Sequence, residues 1–482
     1  MKLSSGDYDV VVVGSGPNGL SAAIALQKAG LRILLIESAS GVGGNMRSAE
    51  LTLPGFIHDI GAAIHPMAAG SPFFESLPLT EFGLEYIFPE YAAAHPFDDG
   101  TATVFESSVH KTASGLGIDG DSYIKLFSRL VDEWPMIDSD VLGPLRIPQH
   151  PMAMIHFGMK AFLSAETLAQ KYFKGKNAKG LFAGMAAHGI LPFSKITSAA
   201  AGLVLMIQGH RKGWPLIKGG TQQLANALSS YFTSIGGQIQ TDCRIEKLKD
   251  LPDARAVMLD LSPEQVLRIA GYSFSSFYAN QLRKYRYGMG VYKIDWALDA
   301  PIPFTAPSCR MAGTIHLGNT YAEIASNEQL TADGQHPEKP FVLLAQQSLF
   351  DPTRAPAGKH TAWAYCHVPN GSEHKMQTQI EKQVERFAPG FRDRILASHT
   401  MDTKELEEFN ANNVGGTING GEQDIRQLFT RPALRLSPYR TPVKGIYLCS
   451  ASTPPGGGVH GMCGFQAAKR VLKDIFNSEY KT

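Results

Sequence analysis

The chain has 482 residues, with 45 basic and 44 acidic side chains and a net charge of +1. That balance gives no electrostatic footing for nucleic acid, and no run of 18 or more apolar residues is present to cross a bilayer. The length calls for two domains. Five scattered cysteines (Cys243, Cys309, Cys366, Cys449, Cys463) without a CxxC pair exclude a dithiol redox centre and argue for a reducing compartment.

Asp9-Val10-Val11-Val12-Val13 predicts a strand buried on both faces, followed by Gly14-Ser15-Gly16-Pro17-Asn18-Gly19 and a helix from about Asn18 to Ala29. The three glycines turn the chain so that the first helix amides point at a pyrophosphate. Arg32 to Glu37 is the second strand, and Glu37 stands where a carboxylate accepts the hydroxyls of an adenosine ribose. An acid there repels a 2′-phosphate, which argues against an NADP-type ligand. Eight residues precede the first strand, so no signal peptide is expected. Gly115, Gly117 and Gly120 repeat the glycine spacing but follow no strand, and predict a loop.

Ser38-Ala39-Ser40-Gly41-Val42-Gly43-Gly44-Asn45-Met46-Arg47 then offers bare backbone and one cation for a diphosphate. This second clamp resembles that of FAD enzymes of the amine oxidase and carotenoid desaturase type. The following segment, Phe56 to Pro66, carries Asp59 and Gly61 in an Asp-x-Gly order that resembles the stretch beside the flavin ring in related enzymes; Gly61 and Ala62 are expected there. His65 is a candidate acid or base, with a packing or hydrogen-bonding histidine as the alternative.

Residues 65–205 predict helical segments rich in Met, Phe and Ala, among them Met152 to Leu163, whose apolar stripe is expected in a core rather than against lipid. Trp214 to Leu228 predicts a loop with Gly219-Gly220 and then an amphipathic helix. Short strands are expected at 236–241, 244–248 and 254–261, and further strands at 287–298, 341–347 and 361–368, with a helix over Gln377–Phe387. Gly445 to Thr453 predicts a strand. Pro454-Pro455-Gly456-Gly457-Gly458-Val459-His460-Gly461-Met462-Cys463-Gly464 predicts a turn, and Phe465 to Phe476 a helix.

That C-terminal order strongly resembles the signature of phytoene desaturases. With the two N-terminal segments it identifies the chain as similar to the phytoene desaturase-like FAD oxidoreductases, the carotenoid desaturase and retinol saturase group. Within the group it is most similar to the branch of the pyridine nucleotide-disulfide oxidoreductase domain-containing proteins. The resemblance implies an α/β fold: a Rossmann-like FAD-binding domain of the glutathione reductase/amine oxidase type with a discontinuous mixed-sheet and helical substrate domain. The expected parts are 1–64, 205–262 and 432–482 for FAD, and 65–204 and 263–431 for substrate. It implies noncovalent FAD held by Gly14, Gly16, Pro17, Asn18, Gly19, Glu37, Ser38, Gly43, Gly44, Asn45 and Arg47. Gly61, Ala62, Ile245, Ser452, Gly458, Val459, His460, Gly461 and Met462 complete the set. No metal site is expected.

Gly-Val-Tyr-Lys at 290–293 resembles the amine oxidase strand that supplies a lysine near flavin N5, which makes Lys293 the second catalytic candidate. Covalent attachment through Cys449 or Cys463 is disfavoured by the resemblance. The chain departs from the group in three ways. Only Lys249 to Asp253 stands where a β-meander is usual, and Ser450 and Phe465 replace smaller residues. The expected activity is hydride transfer from a hydrophobic small molecule to flavin, with oxygen or a quinone as acceptor. The alternatives are a flavin amine oxidase releasing hydrogen peroxide and a flavin-stabilised interaction protein with little turnover. The expected location is the cytoplasm, with peripheral membrane contact in view.

Overall fold

A computed structural model describes residues 8–480. Its first sheet has five parallel strands in the order Ile446–Leu448, Ala254–Leu259, Tyr8–Val13, Ile33–Ile36, Gln238–Gln240. A parallel sheet covered on both faces requires near-continuous apolar strands, and Val10 to Val13 meet that requirement at its centre. On one face Val10 and Val12 pack with the helices Pro17–Lys28, Gln222–Ser234 and Met462–Ile475. Gly464 lets the last of these cross the first closely, since a Cβ there would lie 1.8 Å from the Asn18 carbonyl oxygen. On the other face Val11 and Val13 meet the helices Pro263–Ala270 and Ser276–Arg283. Those two helices fall in a segment expected with the substrate part, yet they cover the nucleotide sheet.

The second sheet has seven strands in the order Ile395–Met401, Gly290–Leu298, His360–Val368, Val342–Ala345, Ala312–Leu317, Tyr91–Pro96, Ala102–Phe105. All neighbours are antiparallel except Ala312–Leu317 beside Tyr91–Pro96. Alternation along Gly290–Leu298 sends Tyr292, Ile294 and Trp296 into one core, where Ile380, Val384 and Phe387 of the helix Gln377–Phe387 also pack. Val291, Lys293 and Asp295 take the opposite face, and Val291 joins the core formed with the helices between residues 120 and 212.

Three local expectations are corrected. Residues 65–204 are not wholly helical: Tyr91–Pro96 and Ala102–Phe105 form a hairpin that extends the second sheet. Residues 244–248 form no strand; the chain runs irregularly into a short 3₁₀ turn, Leu248–Asp250. The helix Pro151–Ala161 buries one apolar face, Ala153, Phe157 and Ala161, in the core as expected, but a second one, Met152 (73%), Ile155 (53%) and Met159 (63%), faces outward.

Candidate functional site

One continuous cavity of about 820 Å³ runs between the two sheets. It begins beside Glu37 and Ile245 and passes the glycine cradle. It then opens into an apolar chamber under Lys293, Trp363 and Tyr365. Among the predicted residues, Gly14, Gly16, Pro17, Asn18, Glu37, Ser38, Gly44, Asn45, Arg47, Gly61, Ala62, His65, Ile245, Lys293, Ser452, Gly458, Val459 and His460 line it. Gly19, Gly43, Gly461 and Met462 stand outside that lining: a Cβ on Gly19 would meet the Gly14 carbonyl at 1.9 Å, and Met462 is buried in the core.

The cradle is shaped by close backbone approach. Gly14 has φ +99°, and a Cβ on Gly61 would stand 2.4 Å from the Asn45 carbonyl oxygen. Such a cradle admits a diphosphate where a side chain would fill it. Arg47 lies over the Phe409 ring at 5.1 Å and has no acidic partner within 4 Å among the described residues, so its charge is available to a ligand. Glu37 Oε2 accepts the Ser15 amide at 2.9 Å, and Oε1 accepts the Ala39 amide at 2.9 Å and the Ser38 hydroxyl at 3.1 Å. The carboxylate thereby fixes the glycine turn. Asn45 is braced by Asn410 and Asn413, at 2.9 and 2.8 Å. These residues fit a dinucleotide.

Asp260 was not foreseen. It follows the strand Ala254–Leu259, and its Oδ2 accepts the Gly19 amide at 2.8 Å, at the N-terminus of the helix Pro17–Lys28. No cation lies within 4 Å of it among the described residues. Burial, with the Glu37 charge adding to it, outweighs the Gly19 hydrogen bond and pushes its carboxyl up to about 7. The available signal was its position: an acid at the carboxyl edge of a parallel strand faces the crevice where ligands bind.

At the chamber, Lys293 and Asp295 are both buried and hydrogen-bonded to each other. Burial pulls the Lys293 ammonium down from its ordinary value, against the charge of Asp295. A second buried pair stands close by: Arg354 Nη2 donates to Asp59 Oδ2 at 2.7 Å, while Thr221 N donates to Asp59 Oδ1 at 2.8 Å. Burial opposes ionisation of Asp59, but Arg354 overcomes it and holds the carboxyl below its ordinary value. Two cations and two anions leave the wall formally neutral. His58 Nδ1 lies 3.7 Å from Asp295, and burial lowers His58 to about 4.

His65 is tied down. The Thr221 hydroxyl donates to the Ala62 carbonyl at 2.6 Å, so its oxygen accepts from His65 Nε2 at 2.9 Å. His65 Nδ1 is buried without a partner, and burial lowers the ring to about 4. The geometry is that of a brace on the Gly61-Ala62 turn. His460 Nδ1 likewise accepts the Met462 amide at 3.0 Å and starts the helix Met462–Ile475, three residues earlier than expected. Buried Arg431 Nη2 donates to the Ala451 carbonyl at 2.7 Å, and Nε to the Ser452 carbonyl at 3.3 Å, fixing the turn before the glycines. Cys449 and Cys463 are buried behind the lining.

Residues 12–76 match the model of the NAD(P)-binding Rossmann-like domain. A pyridine nucleotide-disulfide oxidoreductase domain-containing protein 2 from Rattus norvegicus is 25% identical, over 98% of this chain and 94% of that protein. A lycopene-forming phytoene desaturase from Paracoccus sp. is 23% identical, over 96% and 97%. Over nearly its whole length the chain is thus similar to the phytoene desaturase-like oxidoreductases. The matches and the cradle geometry together fit a flavin cofactor. Among solved structures, a cyclohexylamine oxidase from Brevibacterium oxydans shares the fold with a TM-score of 0.61 at 14% identity, covering 98% of this chain and all of that one.

Proposed function

We propose that the chain is an FAD-dependent oxidoreductase of the desaturase or dehydrogenase kind, binding FAD noncovalently and acting on a hydrophobic small molecule. The observation that carries this is the single cavity joining the dinucleotide cradle to an apolar chamber. FAD, when bound, supplies the hydride acceptor at N5. Arg47 and the amides at Gly16 and Asn18 would hold its diphosphate, and Glu37 its ribose. His65, Thr221 and Asn45 keep the Gly61-Ala62 backbone in place beside the ring. Val291, Leu343 and Trp363 exclude water, and the Lys293–Asp295 ion pair, neutral overall, presents an oriented dipole to the chamber in a dry site where electrostatic interactions are strong.

The amine oxidase alternative wants two aromatic faces bracketing a substrate. Trp363 and Tyr365 instead meet edge to face, at 5.2 Å and 84°. Leu145, Phe162 and Phe429 both line the cavity and are exposed, which marks its mouth. The outward stripe of the helix Pro151–Ala161 is continuous with that mouth through Phe162, and supports entry of an apolar substrate from a lipid surface. No described helix is long and apolar enough to cross a membrane.

The purified protein is expected to be yellow and to release FAD on acid precipitation. Anaerobic bleaching of that flavin by an apolar alicyclic or unsaturated compound would establish turnover. Colour that stays on the pellet would overturn the noncovalent assignment.

A further inference from the structure

The inner wall of the chamber carries a paired polar feature that the reaction just described does not use. His188 follows the helix Lys176–Ala187, lines the cavity, and places Nε2 3.0 Å from His316 Nε2. One proton lies between those nitrogens, so one ring donates and the other accepts. His316 Nδ1 is buried and has no partner among the described residues, and it lies against Gly184, where a Cβ would come within 2.4 Å. A proton on that nitrogen would bury an N–H with no acceptor, which costs more than an idle lone pair. His316 therefore carries its proton on Nε2 and donates to His188. His188 must then carry its own proton on Nδ1. That nitrogen is not buried and has no hydrogen-bond partner among the described residues, and the ring opens on the cavity. Burial lowers His188 to about 3 and His316 well below its ordinary value, so both rings are neutral. The neighbouring indole of Trp214 is already engaged, donating to Thr314 Oγ1 at 3.0 Å.

We propose that the chamber's substrate carries an oxygen acceptor, a carbonyl or hydroxyl on an otherwise apolar skeleton, bound by His188 Nδ1–H with His316 fixing the tautomer. The inference rests on the proposed oxidoreductase function only in calling this ligand a substrate.

Carvone and limonene, a ketone and a hydrocarbon on one terpene skeleton, are suitable probes. Their affinities for the flavin-loaded protein are read from quenching of tryptophan fluorescence, since Trp214 and Trp363 line the chamber. One hydrogen bond should raise the carvone-to-limonene affinity ratio of the wild type about 3- to 10-fold above that of His188→Phe. His188→Asn, whose amide nitrogen replaces Nδ1, should keep the wild-type ratio. Equal ratios in all three proteins, or a wild type that responds to neither probe, overturn the proposal. If His188→Phe does not fold, nitrogen-15 shifts of the His188 ring decide: a proton on Nδ1 supports the proposal and one on Nε2 overturns it. Protein that lacks flavin yet shows the ratio would retain this inference and lose the oxidoreductase reading. Flavin-loaded, substrate-reducible protein with equal ratios would do the reverse.

Discussion

Asp260→Asn is expected to stabilise the protein, by a margin that grows as the pH rises from about 4 to 7. The wild-type carboxyl sits in the glycine cradle without a cation, accepting the Gly19 amide, and is pushed up to about 7 from an ordinary 3.8. Between those values the folded chain holds a proton that the unfolded chain has released. Wild-type stability therefore falls by about 1.4 kcal/mol per pH unit through that window and is flat above it. The whole shift corresponds to about 4 kcal/mol. Asparagine retains an oxygen for the Gly19 amide and has no charge to bury. The two proteins should be equally stable near pH 4 and should diverge until about pH 7, with the variant then ahead by a few kcal/mol. Urea unfolding of flavin-free protein at several pH values, followed by tryptophan fluorescence, gives the profile. The dissociation constant for FAD should show the same sign: a diphosphate beside Asp260 makes its ionisation costlier, so wild-type affinity weakens as pH rises through 7 and the variant's does not. Parallel profiles for wild type and variant would refute the reasoning.

Arg47→Ala and Glu37→Ala should each weaken FAD binding by about 1–3 kcal/mol, the range for hydrogen bonds to charged groups; unchanged affinity in a flavin titration would remove both roles. Lys293→Met leaves the Asp295 carboxylate buried and unpaired, and should cost about 3–5 kcal/mol of stability. Lys293→Met combined with Asp295→Leu should recover most of it, and stopped-flow reoxidation of that double variant then isolates the effect of the charge on flavin from the effect on folding. A double variant as unstable as the single one would deny the pairing. Flotation with neutral phospholipid vesicles should recover the wild type, and replacing Met152, Ile155 and Met159 together with serine should abolish recovery without lowering flavin content. Equal flotation would remove the lipid surface as the route to the mouth.

The nucleotide-binding half was legible because its signals are local. A run of four valines, three glycines and an acid about twenty residues on lie within one βαβ unit, and each has a single structural reading. The hairpin Tyr91–Phe105 was equally local, with Asp98-Asp99-Gly100 as its turn. It was missed because Ala92, Ala93 and Ala94 carry little strand preference and take their conformation from pairing with Ala312–Leu317. What lay beyond reach is long-range. Arg354 meets Asp59 across 295 residues of chain, and Asn410 and Asn413 reach back to Asn45. The stripe at Met152–Phe162 has helical spacing, but spacing alone does not say which face a neighbour covers.

Lys293 shows how a partner two residues away changes the meaning of a motif. In Val291-Tyr292-Lys293-Ile294-Asp295-Trp296 the alternation fits a half-exposed strand, with Lys293 and Asp295 on a solvated face. The strand is instead central, flanked by His360–Val368 and Ile395–Met401, and every residue from Gly290 to Leu298 is buried. A buried ammonium survives only with an opposite charge in contact, and period two is the shortest spacing that puts that charge on the same face. Opposite charges at i and i+2 on a strand whose other residues are aromatic and β-branched are thus compatible with burial, whereas a lone lysine in the same strand is not. Read that way, Asp295 is as informative as Lys293 itself: it marks the face as covered, and a covered polar face in this fold lies against the cavity.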